Sequence, residues 1–183
     1  MSDQVWWYVA RAGGLVAWAL LALSMFWGLA LSSRLLGKFP KPNWMLDLHR
    51  FIGGLSVVFI AVHIGALVAD SYVTITVVNV LVPFTGTYRV VPLAWGIVAT
   101  YLLVAVEITS LLRRRLPRRL WRAVHMLSFP MFVLATVHLL LVGTDRTTLP
   151  LRIGVLATVT VLSSVTLFRI ATVSGQQRTS SRS

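Results

Sequence analysis

Five long apolar runs alternate along the chain with short polar connections rich in arginine and proline. They cover about Val5 to Leu31, Asn43 to Asp70, Val91 to Leu112, Pro117 to Val142 and Leu151 to Ile170. Each run reaches the roughly 20 residues that an α-helix needs to cross the hydrocarbon core of a bilayer. The pattern therefore predicts an all-α integral membrane protein, a bundle of five transmembrane helices numbered here 1 to 5.

The segment from Ser71 to Phe84 is the one candidate in the sequence for a sixth helix that crosses the membrane. It is apolar and β-branched but too short to span a bilayer, so we expect an interfacial or re-entrant segment. The chain is also too short for a second domain. We expect one transmembrane domain over residues 1–173 and a disordered cytoplasmic tail over residues 174–183.

Composition supports the membrane class, with 57% hydrophobic and only 12% charged residues. The 17 Lys and Arg against five Asp and Glu flank the apolar runs, where basic residues orient helices and meet anionic lipid; we therefore expect no nucleic-acid binding. The chain has no cysteine, which excludes disulfides, iron-sulfur clusters and thiolate metal sites. A metal would have to use histidine or carboxylate ligands.

Basic residues are distributed unevenly between the two sides of the predicted bundle. Thirteen lie on the side of the connections 1–2 and 3–4 and the C-terminus, against four on the other side. Because basic residues concentrate in cytoplasmic loops, this count predicts an N-terminus outside and a C-terminus in the cytoplasm.

All four histidines of the chain lie in predicted helices 2 and 4. Both helices run outward in this topology, so His49 matches His125 in depth (the inner pair) and His63 matches His138 (the outer pair). At 1.5 Å rise per residue the two levels are roughly 20 Å apart. Paired imidazoles are usual axial ligands of haem iron, and we predict two haems between helices 2 and 4 that carry electrons across the membrane.

The angle between the two histidines around the helix axis differs between predicted helices 2 and 4. His49 and His63 are 14 residues apart, which returns to within roughly 40° of the same face. His125 and His138 are 13 residues apart, which leaves them roughly 140° apart in a straight helix. Pro130 lies between these two residues, and proline is a common cause of a kink.

Two other classes of protein use histidine in membrane helices. One is a haem-free transporter or metal permease, which requires a polar path through helices that here offer few polar groups besides Glu107. The other is a scaffold subunit whose histidines are structural and bond backbone carbonyls. Four histidines at matching depths favour haem ligation over both.

Three short motifs accompany the histidines: Leu48-His49-Arg50, Trp121-Arg122-x-x-His125, and Gly143-Thr144-Asp145 after His138. With the spacings of 14 and 13, they resemble the ferric reductase-like transmembrane domain family over about residues 5–172. That family includes the membrane cores of ferric reductases and NADPH oxidases and the haem-binding membrane subunit of the bacterial periplasmic methionine sulfoxide reductase system.

The resemblance implies bis-histidine haem b at both pairs, in a transmembrane cytochrome b subunit of a bacterial inner membrane. Two departures matter: family cores usually have six helices, and the oxidoreductase members carry a flavin and nicotinamide domain after the core, which we do not expect here. We therefore expect a separate electron donor, a flavoprotein or a quinol, and a separate acceptor. Whether the chain catalyses any reaction alone stays open.

Three arginines are candidates to bind haem propionates. Arg50 and Arg122 lie near the inner pair, and Arg11 lies in helix 1 near the outer side. The alternative is that they anchor their helices by extending to the interface.

Overall fold

A computed structural model describes residues 3–33, 43–70 and 75–180 of the chain. These residues form seven α-helices and one 3₁₀ turn, Thr144–Thr147. The helices are α1 (Asp3–Ser32), α2 (Asn43–Ala69), α3 (Val77–Leu81), α4 (Val90–Leu111), α5 (Arg118–His125), α6 (Ser128–Val142) and α7 (Leu149–Ser180).

Five spans in the described ranges are long and apolar enough to cross a membrane: α1, α2, α4, α5 together with α6, and α7. The predicted all-α integral membrane bundle is confirmed. Helix α3 has five residues, too few to span a membrane. Residues 71–74, with which the predicted interfacial segment begins, lie outside the described residues. So does most of the basic connection between helices 1 and 2.

Predicted helix 4 is not continuous. It divides into α5, which ends at His125, and α6, which begins at Ser128. The reason is Pro130, whose ring clashes with the carbonyl four residues earlier, at Met126, and which has no N–H to donate. The chain turns there instead, with Leu127 N–H donating to Val124 O (2.9 Å) and Phe129 N–H to Met126 O (3.2 Å).

The helices pack as two close pairs, α1 along α2 and α4 along α6, and α1 also contacts α6 and α7. Side chains of α1, α4, α6 and α7 form one apolar core, which consists of Leu21, Ala22, Leu29, Ala99, Leu103, Met131, Phe132 and Leu162. Within the described residues, the backbones of α2 and α6 do not approach closely along their length. The two helices that carry the histidines therefore leave space between them.

Helix α7 extends beyond the predicted end of helix 5. It continues to Ser180, so residues 174–180, for which we expected disorder, carry on the helix that precedes them. No proline interrupts that segment. The division into one domain and a tail stays a prediction.

Candidate functional site

The inner pair is brought together by α2 and the end of α5. The ring centres of His49 and His125 are 6.2 Å apart, and the ring planes make an angle of 77°. His49 Nδ1 lies 3.4 Å from Ser24 Oγ of α1. Two imidazoles from different helices thus face each other at one level, as their matching depth predicts.

Trp121 supports the His125 ring. The two rings are stacked, with centres 5.0 Å apart and planes 23° apart, because they lie four residues apart on one face of α5. The guanidinium of Arg113 lies 4.6 Å from the centre of the Trp121 ring, at cation–π distance. Trp121 Nε1 and His125 Nδ1 are buried and have no hydrogen-bond partner in the described part of the chain.

The outer pair is held by backbone carbonyls. His63 Nδ1 donates to Ala10 O at 2.6 Å, and His138 Nδ1 donates to Pro92 O at 2.9 Å. Because a carbonyl oxygen only accepts, each Nδ1 carries the proton. In the neutral imidazole each Nε2 then has a free lone pair, which is the form that can bind a metal.

Glycines make the close approach of these rings possible. A Cβ on Gly14 would lie 2.9 Å from His63 Nδ1, and a Cβ on Gly96 would lie 2.7 Å from His138 Nδ1 and Cε1. Both distances are shorter than a van der Waals contact between heavy atoms. The sequence analysis did not identify these glycines as site residues.

His63 and His138 line the same cavity, which α1, α2, α4 and α6 enclose. The structure therefore places both outer histidines at one cavity, although His138 lies beyond the break between α5 and α6. Among the described residues there is no group of three or more His, Asp or Glu suited to hold one metal ion. The histidines are arranged in pairs.

Arg11 has a partner that the sequence did not indicate. It forms an ion pair with Asp145 of the 3₁₀ turn, using both Nε and Nη2, and its guanidinium lies 5.1 Å from the Trp7 ring centre. Arg11 and Asp145 both line the outer cavity. The pair links α1 to the end of α6 at the mouth of that cavity.

Arg50 and Arg122 lie at the inner end, where both line a second cavity between α2, α4 and α5. Arg50 also pairs with exposed Asp47 at 3.2 Å. Glu107 lines this cavity too, with its carboxyl group directly against Gly53. Arg50 and Arg122, which come from different helices, therefore line one and the same cavity.

An aromatic pair lies between the two histidine levels. Trp18 stacks on buried Phe132, with ring centres 5.9 Å apart and planes 24° apart. Trp18 Nε1 donates to Thr136 Oγ1 at 3.0 Å. Phe132 is buried in the core, and the sequence analysis did not single out Trp18.

Comparison with known families agrees with this geometry. The model of the family described as "Ferric reductase like transmembrane component" matches residues 13–136, which is 124 of the 183 residues. The matched region includes three of the four histidines and ends two residues before His138. No curated protein and no solved structure matches the chain.

Proposed function

Since the chain belongs to the ferric reductase-like transmembrane family, we propose that it is the electron-transfer subunit of a membrane oxidoreductase and binds two b haems. His49 and His125 are the proposed ligands of the inner haem. His63 and His138 are the proposed ligands of the outer haem.

The observation that carries this proposal is that His63 and His138, from two different helices, line one cavity while each Nδ1 is bonded to a backbone carbonyl. Histidines that bind metals almost always donate the proton of the other ring nitrogen to a carbonyl, carboxylate or water. His63 and His138 both do so, to Ala10 O and Pro92 O. Such bonds fix the ring orientation and leave each Nε2 available for iron in the cavity that both residues line.

The inner pair also fits a bis-histidine site. Two imidazoles on opposite sides of one metal, each nitrogen about 2 Å from it, have ring centres roughly 6 Å apart, close to the observed 6.2 Å. Buried polar atoms normally have partners, and Trp121 Nε1 has none in the described residues. A haem carboxylate is an acceptor that this indole N–H could use.

When bound, haem iron supplies one-electron transfer, and the residues of the chain bind, orient and shield it. Arg50 and Arg122 place positive charge at the inner end, where propionates would need it. Arg11 does the same at the outer end, where it shares its guanidinium with Asp145. The stacked Trp18–Phe132 pair lies between the two levels, where its apolar rings would keep water away.

The proposed setting is a bacterial inner membrane, with the N-terminus outside and the inner pair near the cytoplasm. This orientation is supported by the arginines that follow α4 and begin α5. Electrons would enter from a flavoprotein or a quinol and leave to a separate acceptor. Exposed apolar side chains along the spans, such as Leu111, Leu156 and Leu167, provide the contact with lipid.

The test is the reduced-minus-oxidised absorption spectrum of the detergent-purified protein, with haem per chain measured after extraction. We expect a b-type spectrum and two haems per chain. His49→Ala and His63→Ala should each leave one haem, and each variant is the control for the other because it removes a ligand at only one level.

Two results would contradict the proposal. A colourless wild-type protein would favour a haem-free transporter or a scaffold subunit with structural histidines. Full haem content in either histidine variant would show that the pairing is wrong. Size-exclusion chromatography of each variant separates loss of haem from loss of folding.

A further inference from the structure

The inner cavity between α2, α4 and α5 is strongly basic. Its volume is about 1240 Å³, and it is lined by five arginines: Arg50, Arg113, Arg114, Arg118 and Arg122. None of the four histidines lines it. We call it the arginine cavity.

The positive charge of the arginine cavity is poorly compensated. In the described residues, the one ion pair formed by its arginines joins Arg50 to Asp47, and both side chains are exposed. Glu107 lines the cavity, but no arginine nitrogen of the described residues lies within ion-pair distance of its carboxylate. The sequence of residues 34–42, which lie outside the described part of the chain, contains no acidic residue. Since Arg50 and Arg122 are assigned to the inner haem propionates, Arg113, Arg114 and Arg118 are left with an excess of positive charge that a second anion would neutralise.

One wall of the arginine cavity continues into an apolar strip on α4. Leu111, Ile108 and Val104 line the cavity and are 82%, 50% and 40% exposed. Their spacing of three and four residues places them on one helix face that leads toward the middle of the membrane. Gly54 and Val57 of α2 form the opposite wall. A charged end followed by an apolar groove matches an amphiphile rather than a free ion.

We propose that the arginine cavity binds an anionic phospholipid. Arg113, Arg114 and Arg118 contact its phosphate, since guanidinium groups bind phosphate through two parallel hydrogen bonds. Its acyl chains lie along the strip of Val104, Ile108 and Leu111. Basic pockets between transmembrane helices at the cytoplasmic side are known sites for anionic headgroups. This binding does not depend on the proposed haem function.

The loop itself offers a matched pair of variants. Arg114→Gln/Arg118→Gln removes two arginines that line the cavity, whereas Arg115→Gln/Arg119→Gln removes two exposed arginines of the same segment that do not. Both variants lose the same charge, so the general attraction to anionic lipid and the charge bias that sets orientation change equally.

The measurement is native mass spectrometry of the full-length protein with stepped concentrations of dioleoyl phosphatidylglycerol or dioleoyl phosphatidylcholine. We expect wild type and the control variant to retain phosphatidylglycerol in preference to phosphatidylcholine. We expect the cavity variant to bind phosphatidylglycerol about tenfold more weakly, because it loses charge-assisted hydrogen bonds.

Four outcomes would overturn the proposal. Equal weakening in both variants would mean that only overall charge attracts lipid. Displacement of the lipid by millimolar inorganic phosphate would mean that the site takes phosphate rather than a lipid. Loss of haem from the cavity variant alone would assign these arginines to a propionate. If the cavity variant does not fold, the thermal midpoint of wild type is measured with each lipid instead. A midpoint that phosphatidylglycerol raises no more than phosphatidylcholine does would overturn the proposal.

Discussion

The sharpest test of the outer site is Gly96→Ala. An added Cβ would lie 2.7 Å from Nδ1 and Cε1 of His138, whereas unstrained heavy-atom contacts begin near 3.5 Å, so the ring must move by about 0.8 Å. That movement would lengthen the 2.9 Å bond from Nδ1 to Pro92 O. Overpacking of this kind costs about 1–3 kcal/mol, which corresponds to about a 5- to 150-fold weaker outer haem affinity.

The assay for Gly96→Ala is haem per chain after dilution, together with the midpoint of thermal unfolding. We expect the haem content to fall from two toward one while the inner haem stays. Alanine gains about 1 kcal/mol over glycine in a helix, so the control is Gly65→Ala in α2, where a Cβ would meet nothing within 4 Å. If both variants keep two haems with equal affinity, the close packing of Gly96 on His138 does not determine the outer site.

Two further predictions concern the packing around the site. Thr136→Val removes the acceptor of the Trp18 indole N–H and should lower the free energy of unfolding by about 1–3 kcal/mol. Its thermal midpoint should be lower than that of the control Thr166→Val, which loses only a bond to Leu162 O. Equal midpoints would refute a stabilising role of the Trp18–Thr136 bond. Asp145→Asn breaks the ion pair with Arg11 and should lower the thermal midpoint. The double variant Arg11→Gln/Asp145→Asn should be no less stable than Asp145→Asn alone, and an additive loss of stability would contradict direct pairing.

Hydrophobic patterning predicted the helices closely because each span must be apolar over a length set by the bilayer. Predicted helix 3, about Val91 to Leu112, is α4, Val90–Leu111. The same pattern could not predict the break at Met126 and Leu127, since these apolar residues fit a continuous helix equally well. The break depends on Pro130 acting on the carbonyl four residues earlier, and His138, which lies beyond it, lines the same cavity as His63.

Contacts between residues that are far apart in the sequence could not be predicted from any local pattern. The distance between Arg11 and Asp145 along the chain is 134 residues, and only packing of α1 beside the end of α6 joins them. Each residue alone is typical of a helix end near an interface, so the sequence left Arg11 between two roles. The structure adds a third role, in which Arg11 forms an ion pair with Asp145 and both residues line the outer cavity.

The glycines of α1 show a signal that the sequence did contain. Gly14 lies against His63 and Gly28 against His49, and the two glycines are 14 residues apart, as the two histidines are. Antiparallel helices joined by a short connection keep such a register, because one residue forward on α1 is matched by one residue backward on α2. The two-level arrangement is therefore encoded in three helices: α2 and the α5–α6 span carry the imidazoles, and α1 supplies a small residue beside each imidazole of α2.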